Sequence, residues 1–207
     1  LLDNAQAKVV VFHDAFAPTL AEVLPLLPSV TLLVQVPDDS GNALLPDAVR
    51  YDDLLAEGST DPLDLELSPD DLYILYTGGT TGMPKGVLWR QHDIFMSAMG
   101  GRPFGADKAL ESYDELVEQA RTNMGVRTVL MIPPLMHGAA QWAVFNVVST
   151  GGWIAIPDHV DHLDAESALR LAERERVLSI PVVGDAVARP LLDEIETGKY
   201  DLSGLVT

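Results

Sequence analysis

The sequence contains no cysteine. That absence excludes disulfides and cysteine-ligated zinc, and it fits a protein of the reducing cytoplasm. Cations are scarce as well: 13 Lys and Arg stand against 31 Asp and Glu, giving a formal net charge of −18. Such a balance argues against general nucleic-acid binding and against electrostatic adhesion to anionic lipid. A polyanion could be held only by a dedicated cluster of backbone donors and cations working against the global field. No apolar run approaches the roughly 20 residues that span a bilayer, so no transmembrane segment is expected. The start of the chain also lacks the charged leader and apolar stretch of a secretory signal. Peripheral membrane contact and oligomeric state are left open. What is present suffices to fold: 47% of the 207 residues are apolar, enough for a sizeable core. The chain begins at Leu1 without a methionine and stops just after the turn-like Asp201-Leu202-Ser203-Gly204. Both ends read as boundaries of a fragment.

Short β-branched runs alternate with helical patterns, the signature of an α/β fold with a mainly parallel sheet flanked by helices. Residues 1–36 read as strand, helix, strand. Lys8 to Phe12 and Val30 to Val34 are the strands, and the helix opened by Pro18 turns Leu20, Val23, Leu24 and Leu27 inward. Residues 37–71 are linker-like, rich in Asp, Pro, Gly and Ser, with at most a short helix from Tyr51 to Ala56. Residues 72–99 comprise a strand from Leu72 to Tyr76, a glycine-rich loop, a strand at Val87-Leu88-Trp89 and a helix from Asp93 to Met99. Residues 100–126 hold a surface helix that Asp107 can cap, with Leu110, Tyr113, Val117 and Ala120 inside. In residues 127–207, strands are expected at Thr128 to Ile132, Trp153 to Ile156 and Val177 to Ile180. The helix from His137 to Val148 is apolar on nearly every side and should be buried. A second helix buries Ala165, Ala168, Leu169 and Ala172, and a final one is kinked or restarted at Pro190.

The most specific feature is the loop Thr77-Gly78-Gly79-Thr80-Thr81-Gly82-Met83-Pro84-Lys85-Gly86. Its glycines let the backbone approach a ligand and take positive φ values. Successive N–H groups in such a loop form an anion-binding concavity. Thr77, Thr80 and Thr81 add hydroxyls, and Lys85 adds a compact cation. Together these suit a polyphosphate. A Walker A loop is excluded, because Lys85 is followed by Gly86 and a strand rather than by Ser or Thr opening a helix. The plain alternative is a long strand-to-strand turn rich in Gly and Thr.

Tyr76 to Val87, YTGGTTGMPKGV, closely resembles the phosphate-loop signature of the AMP-forming adenylate family, which includes acyl-CoA synthetases, luciferases and peptide-synthetase adenylation domains. Glycine at position 78, where many members have serine, looks typical of fatty-acyl-CoA ligases. Pro133-Pro134-Leu135-Met136-His137-Gly138 resembles the family's Pro-Leu-Phe-His segment. The run from Met83 to Gln91, with the stretch 100–126 read as an insertion, is similar to actinobacterial fatty-acid and sterol-side-chain CoA ligases. The resemblance covers nearly the whole chain and implies part of the large N-terminal domain of such an enzyme, with a strand–loop–strand phosphate flap.

It implies further that Thr77, Gly78, Gly79, Thr80, Thr81, Gly82 and Lys85 grip ATP phosphates, and that Lys85 and His137 are catalytic. His137, Trp142 and Gly184 would border the carboxylic-acid substrate. The alternatives are a satisfied core histidine at a helix N-terminus and a large core aromatic on a buried helix. The implied reaction converts a carboxylate and ATP to acyl-adenylate and pyrophosphate, and then passes the acyl group to CoA. The magnesium-ligand glutamate, the adenine and ribose contacts and a C-terminal domain with its catalytic lysine would lie beyond Thr207. The fragment alone is therefore expected to be inactive. Two other readings are another adenylate-forming enzyme, such as one loading a carrier protein, and a non-catalytic nucleotide-phosphate-binding module. Within the chain no metal site is expected. Asp158-His159-Val160-Asp161-His162-Leu163-Asp164 has metal-ligand chemistry, but Asp161 or Asp164 serves equally as a helix cap. His13-Asp14 reads as ordinary turn chemistry, and Asp61, Asp64, Glu66, Asp70 and Asp71 as a solvated face.

Overall fold

The two strands expected in the first 36 residues form one or two residues later than the β-branched runs suggest, as β1 (Val9–His13) and β2 (Leu32–Val36). They belong to a computed structural model that describes residues 1–78, 82–103, 106–159 and 162–207. The chain divides into two units, Leu1–Leu67 with Tyr76–Val87 and Ser68–Leu75 with Leu88–Thr207.

In the first unit, β1 and β2 are parallel, with Val9 opposite Leu32 and His13 opposite Val36. Parallel neighbours need a crossover, and α1 (Ala17–Val23) supplies it, with Pro18 in its first turn. At Leu24–Leu26 the chain tightens into a 3-10 turn that accommodates Pro25. The inward stripe is therefore shorter than its spacing suggests: Leu20 and Leu27 are buried, but Val23 is 37% exposed. Val10, Phe12, Ala17, Leu20 and Leu33 form the core. The stretch 37–71 holds more than a linker. Ala48–Arg50 is β3, parallel to β2, and α2 (Tyr51–Glu57) follows it. Three residues are too few to show strand alternation in a sequence. Asp61, Asp64 and Glu66 are exposed.

Asp14 is not ordinary turn chemistry. It is buried at the end of β1, where Arg50 Nη1 donates to its two carboxylate oxygens at 2.8 and 3.1 Å. Gln35, fully buried, donates from Nε2 to Asp14 Oδ1 at 2.6 Å and to the Ala43 carbonyl at 3.0 Å, while Leu45 N–H donates to its Oε1 at 2.9 Å. These bonds make the burial tolerable, since a polar group withdrawn from water must find a partner. They also tie the 37–47 loop to the ends of all three strands.

The sheet of β4 (Leu72–Thr77) and β5 (Lys85–Arg90) is divided between the units, residues 76–77 and 85–87 falling in the first and 72–75 and 88–90 in the second. In the second unit, Asp70 pairs with Arg90 at 2.7 Å, and α3 (Gln91–Ala98) buries Ile94. The next helix, α4 (Tyr113–Thr122), is capped by Ser112 rather than Asp107. Ser112 Oγ accepts from Glu115 N–H at 3.2 Å, and the Glu115 carboxylate accepts from the N–H of Glu111, one residue before the cap, at 2.8 Å, so two donors at the helix start are satisfied. With this start Leu116 and Ala120 turn inward, whereas Tyr113 and Val117 are exposed.

β6 (Thr128–Leu130) and β7 (Trp153–Ala155) are parallel, linked by α5 (Gly138–Ser149). β6 is covered on both faces, as parallel strands require. Val129 packs with Ala140 and Val147 of α5. Leu130 packs with Ala168, Leu169 and Ala172 of α6 (Ala165–Arg174) and Leu191 of α7 (Asp185–Ile195). The strand expected at 177–180 is reduced to a bridge between Val129 and Ser179, because Pro181 follows and cannot extend a ladder. α5 is less enclosed than its composition suggests, with Phe145 52% and Val148 59% exposed. α7 runs unbroken through Pro190; the Ala186 carbonyl that loses its helical partner lies on an exposed residue, open to water. No helix among the described residues is long and apolar enough to cross a membrane.

The Asp14 cluster generates a stability prediction. Arg50→Met strands a buried carboxylate and is expected to cost about 3 kcal/mol in urea unfolding. Adding Asp14→Asn to that variant should recover much of the loss; no recovery would mean that the pair is not the cause.

Candidate functional site

β4 delivers Thr77 to the start of the glycine-rich loop, and β5 begins at Lys85 where it ends. The two residues meet: Thr77 Oγ1 donates to the Lys85 carbonyl at 3.4 Å. Gly79, Thr80 and Thr81 lie outside the described residues. Gly78 and Gly82 are exposed, and a Cβ on either would meet nothing within 4 Å. Gly78 does not take a positive φ, so the expected left-handed conformation is not what this glycine provides. Both leave the backbone bare for close approach. Lys85 is exposed and has no acidic partner among the described residues, an uncommitted cation in a strongly acidic chain.

In the second unit, Pro133-Pro134 ends the β6 segment and His137 opens α5 as its N-cap, in extended conformation. Its Nδ1 accepts from Ala139 N–H at 3.3 Å. An accepting nitrogen carries no proton, so this bond belongs to the neutral tautomer with hydrogen on Nε2. His137 is exposed rather than a core residue.

The first turns of α5 are held from outside the helix. A Cβ at Gly138 would run into Leu75 Cδ2, so a larger residue there would have to displace the leucine side chain of β4. Tyr73 Oη donates to Gln141 Oε1. Trp142 packs edge-on against Trp89 of β5, with ring centroids 6.1 Å apart at 79°. Its indole nitrogen is buried with no partner among the described residues. Beside it lies a cavity of about 360 Å³ lined by Ser97, Arg102, Pro103, Trp142, Ala143 and Asn146 among others. Gly184 stands apart from this group as the N-cap of α7, with φ 78° and ψ 166°. That region is open essentially to glycine alone, so backbone geometry accounts for the residue.

Thus the structure brings Thr77 and Lys85 together in one unit and His137 and Trp142 onto one helix in the other. Tyr73, Trp89 and Gln141 went unnoticed in the sequence. A signal existed: Gln141 is a polar residue one turn after His137 in an otherwise apolar helix, and Tyr73 and Leu75 share the β4 face that meets it. No cluster of three or more His, Asp or Glu suited to a metal occurs among the described residues. Asp164 caps α6, accepting from Ser167 N–H at 3.1 Å; Val160 and Asp161 lie outside the described residues.

The family described as AMP-binding enzyme matches residues 1–207. The chain is 52% identical over 205 residues to the medium-chain acyl-CoA ligase Mig of Mycobacterium avium, covering 99% of this chain and 37% of that protein. It is 35% identical over 213 residues to the 3-oxocholest-4-en-26-oate–CoA ligase of Rhodococcus rhodochrous, covering 99% of this chain and 38% of that protein. It therefore spans less than two fifths of the length of these curated relatives. Among solved structures, the inhibitor-bound N-terminal domain of FACL13 from Mycobacterium tuberculosis aligns with a TM-score of 0.71 at 22% identity, over 99% of this chain and 44% of that one. The likeness shows that the chain shares the α/β fold of that N-terminal domain.

Because His137 acts as a cap, His137→Ala is expected to lower stability by about 1 kcal/mol, whereas His137→Ser, a strong cap, should not. Thermal unfolding of both variants checks this, and equal losses would contradict the capping role.

Proposed function

Since the chain belongs to the AMP-binding enzyme family, we propose that it is the phosphate-gripping portion of an acid–thiol ligase that joins a fatty or related hydrophobic carboxylic acid to CoA, using ATP. The observation that carries this reading is the loop between β4 and β5. Lys85 stands unpaired beside Thr77 at its root, with glycines on both sides of the tip that leave the backbone bare. The names of the relatives, a medium-chain acyl-CoA ligase and a sterol-side-chain acid ligase, support a hydrophobic carboxylate as substrate.

In this reading a carboxylate oxygen of the substrate attacks the α-phosphorus of ATP. The bond from that phosphorus to the bridging oxygen breaks, and pyrophosphate leaves. Thr77, Gly78, Gly79, Thr80, Thr81 and Gly82 hold the β- and γ-phosphates, and Lys85 offsets the charge that grows on the departing pyrophosphate. His137, neutral and with hydrogen on Nε2, orients the carboxylate without adding charge. In the second step the CoA sulfur attacks the acyl carbon and AMP departs. The cavity beside Trp142 offers room for part of the acyl group, and Gly184 would border the group through its backbone. Magnesium would offset phosphate charge when bound. This chain shows no ligand set for it among the described residues, and its glutamate is expected in the part of the relatives' length not covered here.

In the full-length ligase, Lys85→Ala is expected to slow adenylation roughly 100-fold, the scale of one lost transition-state charge contact. Pyrophosphate release in a single turnover measures this. An unchanged adenylation rate with slower thioester formation would refute the role given to the loop. The 207-residue chain alone is expected to show no ATP–pyrophosphate exchange with any fatty acid, and appreciable exchange would contradict the reading.

A further inference from the structure

Both strands that flank the phosphate loop rest on one helix, and it is the helix that His137 caps. From β4, Leu75 fills the space over Gly138, and Tyr73 donates to Gln141. From β5, Trp89 packs its ring edge-to-face with Trp142 at 6.1 Å. Positions 138, 141 and 142 are spaced i, i+3 and i+4, so they form one face of the first turns of α5. Three contacts of different kinds thus converge within five residues of His137: the Leu75 side chain packed against Gly138, a side-chain hydrogen bond and an aromatic pair. The indole N–H of Trp142 has no partner among the described residues, so that ring is held by packing rather than by a hydrogen bond of its own.

We infer that Tyr73, Leu75, Trp89, Gly138, Gln141 and Trp142 are positioning residues, a clamp that fixes residues 72–75 of β4 and 88–90 of β5 on the first turns of α5, the helix that His137 caps. The inference rests on the proposed roles of the loop and of His137. A loop that must reach over a ligand gains nothing from rigidity at its tip, where Gly78 and Gly82 stand in open space. It does need fixed roots, because a displacement of about 1 Å at a reacting group can cost on the order of 100-fold in rate. The clamp holds both strand segments of its own unit on the element that also sets the imidazole.

The test uses the full-length ligase. Tyr73→Phe and Gln141→Leu are each expected to lower kcat for adenylation roughly fivefold to tenfold, with KM for ATP and melting temperature nearly unchanged, and their double variant to be no slower than either. Gln141→Glu, which keeps an acceptor for the phenol, should recover the rate. Gly138→Ala should be slower still, and Leu75→Ala in the same chain should restore part of the loss; if Gly138→Ala does not fold, the Tyr73–Gln141 series stands alone. Independently of activity, the imidazole NMR signals of His137 should move in Tyr73→Phe and Gln141→Leu and return in Gln141→Glu. Multiplying effects in the double variant, a Gln141→Glu as slow as Gln141→Leu, or unmoved His137 signals would each overturn the clamp. Lys85→Ala, measured alongside, separates the two ideas. If it leaves adenylation untouched, the loop's role fails, and the NMR series still decides the clamp. If it slows adenylation while Tyr73→Phe does not, the clamp alone fails.

Discussion

At Gly138 a side chain would have to displace that of Leu75. The Leu75 methyl occupies the place where a Cβ would be, and this close approach lets β4 lie directly on the first turn of α5. The Tyr73–Gln141 bond and the Trp89–Trp142 contact both depend on that spacing, because a strand held farther from the helix could reach neither partner. The cap at His137 sits one residue before the same glycine. The packing of Leu75 against Gly138 therefore sets how residues 72–75 lie on the first turn of α5, next to the cap at His137.

Electrostatics take the opposite form. The chain carries −18 overall, yet the loop proposed to hold a polyphosphate has Lys85 without an acidic neighbour among the described residues. Elsewhere cations are spent on structure: Arg50 on buried Asp14, Arg90 on Asp70, Arg170 on Glu166. The exposed pairs contribute little, because solvent screens them. The Asp14 pair is different, because its carboxylate is buried and would be left uncompensated. A lysine left unpaired in this setting is available for an anionic ligand.

The loop and the histidine of the candidate site stand out in the sequence because their chemistry is local. Four glycines, three threonines and a lysine within ten residues define the loop, and Pro-Pro-Leu-Met-His-Gly defines the histidine. The α/β alternation likewise gave β1, β2, β6 and the faces of α6. What could not be read depends on separation along the chain. Asp14 looks like a turn residue until Gln35 and Arg50, 21 and 36 positions away, close over it. Tyr73 lies 68 positions from Gln141, and no local pattern connects them. The misplaced start of α4 has another cause: Ser112 and Glu115 satisfy two donors at the helix start, whereas Asp107 offers one bond at best.

The central claim is that this chain handles the phosphates in an acid–thiol ligase of the AMP-forming kind. The most direct measurement follows the nucleotide products of the full-length protein with a panel of fatty and sterol-side-chain acids, with and without CoA. The account predicts pyrophosphate and an acyl-adenylate without CoA, and AMP with a thioester once CoA is added. Formation of ADP and phosphate, or no nucleotide turnover with any carboxylate, would contradict it.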